Sequence, residues 1–348
     1  MDCARRYAAQ CLGSLLLLLG ACAASAQTND RFYAGKTLSV IVGSSPGGYY
    51  DIGARTVARH LGRHIPGAPT LIVQNQPGGG GLALANRMAN GMERDGLTVV
   101  AMNRALPQLA LLEDPNVTFD PMKLTWLGSL SSYRDDGYLL IVNKGHKART
   151  FADTLTLEPS IHLGGTAAGA TNIVFGLLAR DMLKMRVDLI RGFPGVSEVW
   201  LAMERKELDG QVIDLSAILV GRADAWRAGQ FRPLVVFGRK ERMAEAPDAP
   251  TARELITDPN DRALLDFAEL PFFMAFPFAA PPGVPADRAA ILSKAFMAMA
   301  TDDEFRADIR KAGILTSPID GEAVRALIAE AARAPRDVRM RFARLLAM

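Results

Sequence analysis

Cysteine is nearly absent from this chain: of 348 residues only three are cysteine, Cys3, Cys11 and Cys22. All three fall ahead of Ala26, so a chain beginning after that residue has none. That excludes a disulfide framework, thiolate metal sites and thiol nucleophiles. Stability must come from a hydrophobic core, which the remaining 322 of the 348 residues can supply. Long apolar runs are also lacking beyond residue 26, where none approaches the ~18 residues that a membrane-spanning helix needs. Charge of one sign is scarce. The 40 Lys and Arg against 37 Asp and Glu give a formal charge of +3, and loss of Asp2, Arg5 and Arg6 takes it to +2. Without a dense basic run, nucleic acid is not an expected partner.

What is present begins with an export signal. Arg5 and Arg6 precede the apolar block LGSLLLLLGACA, which ends at Ala24-Ser25-Ala26. A basic start, a short greasy middle and an A-x-A end describe a secretory signal peptide over residues 1–26. Leu19-Gly20-Ala21-Cys22 also fits a lipobox, in which Cys22 is lipidated and becomes the new N-terminus. Both routes export the chain.

From Thr37 onward, short apolar runs alternate with helical patterns. Strands are expected at Leu38–Val42, Thr70–Gln74, Thr98–Met102, Tyr138–Val142, Ser160–Leu163, Val187–Ile190, Gln211–Leu215 and Leu234–Phe237. The clearest helix carries Ala54, Val57, Ala58, Leu61 and Ile65 on one face. Residues 286–348 read as successive helices. This grammar predicts an α/β fold with parallel sheets. The strands are too many for one doubly wound sheet, so two lobes are expected. Lobe 1 opens with residues 27–130, lobe 2 spans 131–270, and residues 271–348 cross back, PFFMAFPFAA (Pro271–Ala280) leading into C-terminal helices that return to lobe 1. A cleft between two such lobes is a usual ligand site.

Two loops join a strand to a helix N-terminus through small residues. In GSSPGGYYD (Gly43–Asp51), Ser44 and Ser45 offer hydroxyls, and Gly47 and Gly48 leave backbone N–H groups accessible. Helix N-termini carry unpaired donors and the positive dipole end, and so suit an anion. GGTAAGATN (Gly164–Asn172) repeats the arrangement with Gly165, Thr166, Ala167, Gly169 and Thr171. The two ends would clamp a small anion without any arginine in contact. Each loop is also compatible with an ordinary capped turn. NQPGGGG (Asn75–Gly81) has no GKS or GKT ending and no G-x-G-x-x-G, so nucleotide binding is not expected; Gly80 there shapes the cleft wall.

Enzyme chemistry finds little support. Gly43-Ser44-Ser45-Pro46-Gly47 matches G-x-S-x-G, but Pro46 has no N–H for the oxyanion hole that Ser45 would require. The triad histidine should come late, whereas the histidines are His60, His64, His146 and His162. His60 and His64 have zincin spacing without the glutamate base, and read as solvated surface residues. No metal or other cofactor is expected. Asp51 either caps the helix or accepts from a ligand, and Asp214, ending QVIDL, poses the same choice. Tyr49 and Tyr50 close over a ligand or enter the core. Residues 195–210 read as an amphipathic helix with Val199, Leu201 and Met203 partly buried.

FYAGKTLSVIVGSSPGGYYDIGARTVARHL, VQNQPGGGG, RDGLT, RGFPGVSEV and APDAPTARELI together resemble the extracytoplasmic solute receptors of tripartite tricarboxylate transporters, the Bug or TctC proteins. The match runs in order from about Phe32 past Pro281. It implies a type II periplasmic-binding-protein fold, a periplasmic location and binding without catalysis. It also implies a small carboxylate ligand and the membrane subunits of such a transporter as partners. The chain is expected to be a monomer. Carried over, the ligand contacts fall at Ser44, Ser45, Gly47, Gly48 and Tyr49 in one lobe and at Gly165, Thr166, Ala167 and Thr171 in the other. The family aspartate maps to Asp51. Tyr49 stands where the family often has a small residue.

Overall fold

The computed structural model describes residues 32–347, other than 45, 135, 167–169 and 194. The expectations for the leader, Cys22, Ser45, Ala167 and Gly169 lie outside the described residues. Two mixed sheets form the frame. The first has six strands in the order β11-β4-β10-β3-β1-β2. These are β1 (Thr37–Val42), β2 (Thr70–Asn75), β3 (Thr98–Ala101), β4 (Thr125–Ser129), β10 (Pro277–Ala280) and β11 (Ile319–Asp320). The second has five in the order β7-β6-β8-β5-β9. They are β5 (Tyr138–Asn143), β6 (Ile161–Gly164), β7 (Val187–Ile190), β8 (Gly210–Asp214) and β9 (Phe231–Phe237).

The expected all-parallel sheets are corrected. β1 pairs parallel with β2 and β3, but β10 enters antiparallel between β3 and β4. In the second sheet β5 runs antiparallel to both β8 and β9. The cause is connectivity: β10 returns to the first sheet after the chain has completed the second, and it enters from the opposite direction.

Helices cover both sheets. α1 (Tyr49–Leu61) and α2 (Leu82–Gly91) follow β1 and β2, and the short α3 (Leu106–Ala110) follows β3. α4 (Thr171–Asp181) and α5 (Val196–Glu204) follow β6 and β7, while α6 (Leu215–Gly221) and α7 (Ala223–Arg227) follow β8. After β9 come α8 (Ala252–Leu255) and α9 (Pro259–Phe273); after β10 come α10 (Ala286–Ala300), α11 (Asp303–Lys311), α12 (Gly321–Ala332) and α13 (Arg336–Leu346). Among the described residues no helix is long and apolar enough to cross a membrane.

The α1 stripe packs as its periodicity predicts: Ala54, Val57, Leu61 and Ile65 are buried and Ala58 is half-buried. Pro271 lies inside α9, and the stretch it opens ends in β10 of the first sheet. Two other expectations fail. Leu201 is 45 % exposed, while Val199 and Met203 are fully buried. His60 is not solvated. It is buried against the α11 side of the first sheet, and its Nε2 lies 3.0 Å from Asp308 Oδ2. His60, Asp302 and Glu304 converge there, but the Arg63 guanidinium pairs with both carboxylates.

Candidate functional site

The cleft between the sheets has a volume of about 620 Å³. Tyr49 and Tyr50, opening α1, line it together with Asn103 and Arg104, which follow β3. On the far side stand Tyr133, Asp136 and Tyr138, with Thr171 at the start of α4 and Asp214 and Ser216 where β8 becomes α6. A second, mostly apolar chamber of about 240 Å³ shares Asn103, Arg104 and Thr171 with the cleft. Leu106, Leu109, Val174, Phe175 and Phe272 line it, and Gly80 sits on its wall.

Arg104 is the centre of the arrangement. Its backbone N–H donates to the Tyr50 hydroxyl at 3.0 Å. Nη1 donates to Tyr133 Oη at 3.1 Å, and Nη2 to Tyr138 Oη at 3.3 Å. The guanidinium carbon lies 4.5 Å from the Phe272 ring centroid, a cation–π contact. Burial alone would lower its pKa, but the Tyr133, Tyr138 and Tyr50 phenols hold it above the ordinary value. No carboxylate among the described residues pairs with it. A guanidinium has five N–H donors, and hydrogen bonds among the described residues take two of them. Arg104 therefore stands in the cleft where the two loops alone were expected to clamp an anion.

The neighbouring helix end adds donors. α4 has no side-chain cap, and Ile173 and Val174 take the Ala170 carbonyl. The N–H groups of Thr171 and Asn172 have no partner among the described residues. Thr171 opens onto the cleft.

Of the residues singled out in the sequence, the structure brings Tyr49, Tyr50, Thr171 and Asp214 into the cleft and Gly80 into the adjoining chamber. The others serve the loops. Asp51 is 2 % exposed and accepts from Gly47 N at 2.7 Å, Arg55 Nε at 3.0 Å and Asn75 Nδ2 at 2.8 Å. Burial would raise its pKa, but those donors hold it below the usual carboxylate range. The Gly47 N–H is thus engaged internally rather than offered to a ligand. Gly47 is required for its φ of +82°. Gly48 is the N-cap of α1. The Ser44 carbonyl accepts from Asn75 Nδ2, and its hydroxyl is buried without a partner among the described residues. Thr166 Oγ1 donates to Asn172 Oδ1 at 3.2 Å. Gly165 lets Ile173 approach, since a Cβ there would lie 2.1 Å from its Cδ1.

Sequence reasoning missed Arg104, Tyr133, Asp136 and Tyr138. Asp136 Oδ1 accepts from Gly137 N at 2.8 Å and Ser216 N at 3.2 Å. Asp214 Oδ1 caps α6 through Ala217 N at 2.8 Å and takes the Ser216 hydroxyl at 2.7 Å. Burial, then the Asp214 charge, pushes Asp136 up to about 6.

No family model matches the sequence, and no curated protein does. Solved structures match the fold. A TctC solute-binding protein from Polaromonas has a TM-score of 0.68 at 17 % identity, covering 89 % of this chain and 99 % of its own. MatC from Rhodopseudomonas palustris, with bound malate, has a TM-score of 0.55 at 21 % identity, covering 89 % and 99 %. R. palustris Rpa4515 with adipate gives 0.58 at 19 % identity, covering 90 % and 97 %. The chain therefore has the two-lobed α/β fold of periplasmic solute-binding proteins, and the sequence resemblance to TctC and Bug receptors agrees with this at the level of fold.

Proposed function

We propose that this chain is an exported solute receptor that captures a small carboxylate in the cleft and delivers it to the membrane subunits of a tripartite tricarboxylate transporter. The observation that carries the reading is Arg104, a cation in the cleft with donors to spare and no carboxylate partner among the described residues. A charge-assisted hydrogen bond contributes about 1.5–3 kcal/mol, and a planar guanidinium suits bidentate capture of a carboxylate. The α4 N-terminus adds about 0.3–1 kcal/mol, or up to ~2 when partly buried.

Malate and adipate in two of the similar structures support a carboxylate. The export signal and the family resemblance support periplasmic capture for transport. The moving units are lobe 1, residues 27–130 with the C-terminal helices, and lobe 2, residues 131–270. The ligand stabilises the closed state because only there do both lobes touch it. The receptor works as a monomer and binds without catalysis.

The test is a thermal-shift screen of the chain from residue 27, with small carboxylates and their matched amides. At 100 times its Kd a ligand adds about 2.7 kcal/mol. A carboxylate that raises Tm while its amide does not supports the reading. A shift with neutral compounds alone contradicts it.

A further inference from the structure

The cleft holds three charged side chains, and among the described residues none forms an ion pair with another. Arg104 hangs from the first sheet, while Asp136 and Asp214 stand on the second. Tyr138 separates them. Its Cα is in register with that of Asp214 across β5 and β8, its backbone adjoins Asp136 through Gly137, and its hydroxyl meets Arg104. The positive group thus meets, through one tyrosine hydroxyl, the wall that carries the negative groups.

Both aspartates use one oxygen on the protein, and among the described residues the other takes no hydrogen bond. Asp136 Oδ1 and Asp214 Oδ1 take every hydrogen bond these side chains make among the described residues. Asp136 is only 4 % exposed, and that exposure faces the cleft it lines. A buried carboxylate without a counter-charge is costly. Placed beside an anion site, such a pair repels a second carboxylate and attracts a cationic donor.

We infer that the ligand is a zwitterion of the amino-acid class, its carboxylate held by Arg104 and its ammonium between the second oxygens of Asp136 and Asp214. An ammonium offers three donors and no acceptor, and an ionised carboxylate offers acceptors alone. A di- or tricarboxylate would set its second charge against the same pair. The inference rests on the carboxylate reading of this cleft and narrows it.

Each of the twenty standard L-amino acids is titrated calorimetrically against its des-amino acid and its primary amide, using the chain from residue 27. At least one amino acid should bind ten times or more tightly than its des-amino analogue, with the amide bound weakly. Asp136→Asn and Asp214→Asn should each close that gap at least threefold, with unchanged far-ultraviolet circular dichroism showing that the variant is folded. Asn at position 214 can still cap α6, so one variant keeps its local structure. Des-amino acids that bind as well as the amino acids overturn the inference and leave the carboxylate reading standing. So does a dicarboxylate that outcompetes every amino acid. A Tm rise with Ca²⁺ or Mg²⁺ alone that is lost in Asp214→Asn assigns the pair to a metal cation and also overturns it. No binding by any amino acid or carboxylate overturns both readings.

Discussion

Tyr138, the first residue of β5, accepts a hydrogen bond at 3.3 Å from Nη2 of Arg104, which hangs from the other sheet just past β3. The bond crosses the cleft, so the group that would hold an anion is oriented by both sheets. Tyr138→Phe removes one of the two phenols fixing the guanidinium and keeps the ring contacts with Phe175 and Phe272. With about 1.5–3 kcal/mol at stake in a hydrogen bond to a charged group, carboxylate binding should weaken by roughly tenfold or more. Calorimetric titration of wild type and variant reads this directly.

Asp51 is a latch for the first loop. Asp51→Ala leaves the Gly47 N–H without its acceptor and takes one acceptor each from Asn75 and Arg55, which keep the Ser44 carbonyl and Asn75 Oδ1. Unsatisfied partners of this kind cost about 1–3 kcal/mol. The variant should melt several degrees lower in a calorimetric scan. Asp51→Asn, which can still accept from Gly47, should lose less.

Gly53 lies inside α1, where helix propensity alone favours alanine by about 1 kcal/mol. Packing reverses the sign. A Cβ on Gly53 would lie 2.2 Å from Phe276 Cε1. That ring is fully buried against Tyr49, Tyr50 and Phe278. Overpacking costs about 1–3 kcal/mol, so Gly53→Ala should lower Tm despite its better propensity. A raised Tm would show that Phe276 yields.

Glu269, on α9, is fully buried, with its Oε1 accepting from Gly238 N at 2.7 Å and its Oε2 2.9 Å from Arg253 Nη2. Burial pushes its pKa up to about 7, against the pull of Arg253 and Gly238 and with Asp266 adding repulsion. Between its ordinary value of 4.5 and about 7, the native state keeps a proton that the unfolded chain releases. This group's contribution to stability is therefore largest below that window and is lost as pH rises through it. Glu269→Gln should flatten the fall of Tm from pH 4.5 to 7, measured against wild type in the same buffers.

The eight strands read from apolar runs all form, and the α1 stripe is buried as its spacing requires. β4 escaped notice because TWLGS carries Gly128, whose φ of +152° and close approach to Ile319 O come from the sheet around it. β10 lies inside PFFMAFPFAA, an apolar stretch whose first three residues close α9 and whose last four form the strand, with no local signal dividing them. At the site, sequence found the residues that make loops: glycines, Asp51 and the α4 entrance. It missed Arg104, Tyr133 and Asp136, which sit in no motif. They converge only because β3, the segment before β5 and the end of β8 meet across the cleft, a relationship without local spacing.

The most direct test of the account is calorimetric titration of the tightest carboxylate from the thermal screen, and of its amide, into wild type and Arg104→Gln. Truncating one partner of a buried, hydrogen-bonded charge pair costs about 2–5 kcal/mol. The account predicts that Arg104→Gln weakens the carboxylate by at least thirtyfold and leaves the weak binding of the amide nearly unchanged. Equal losses for the two compounds, or no loss for the carboxylate, would contradict the assignment of Arg104 as its anchor.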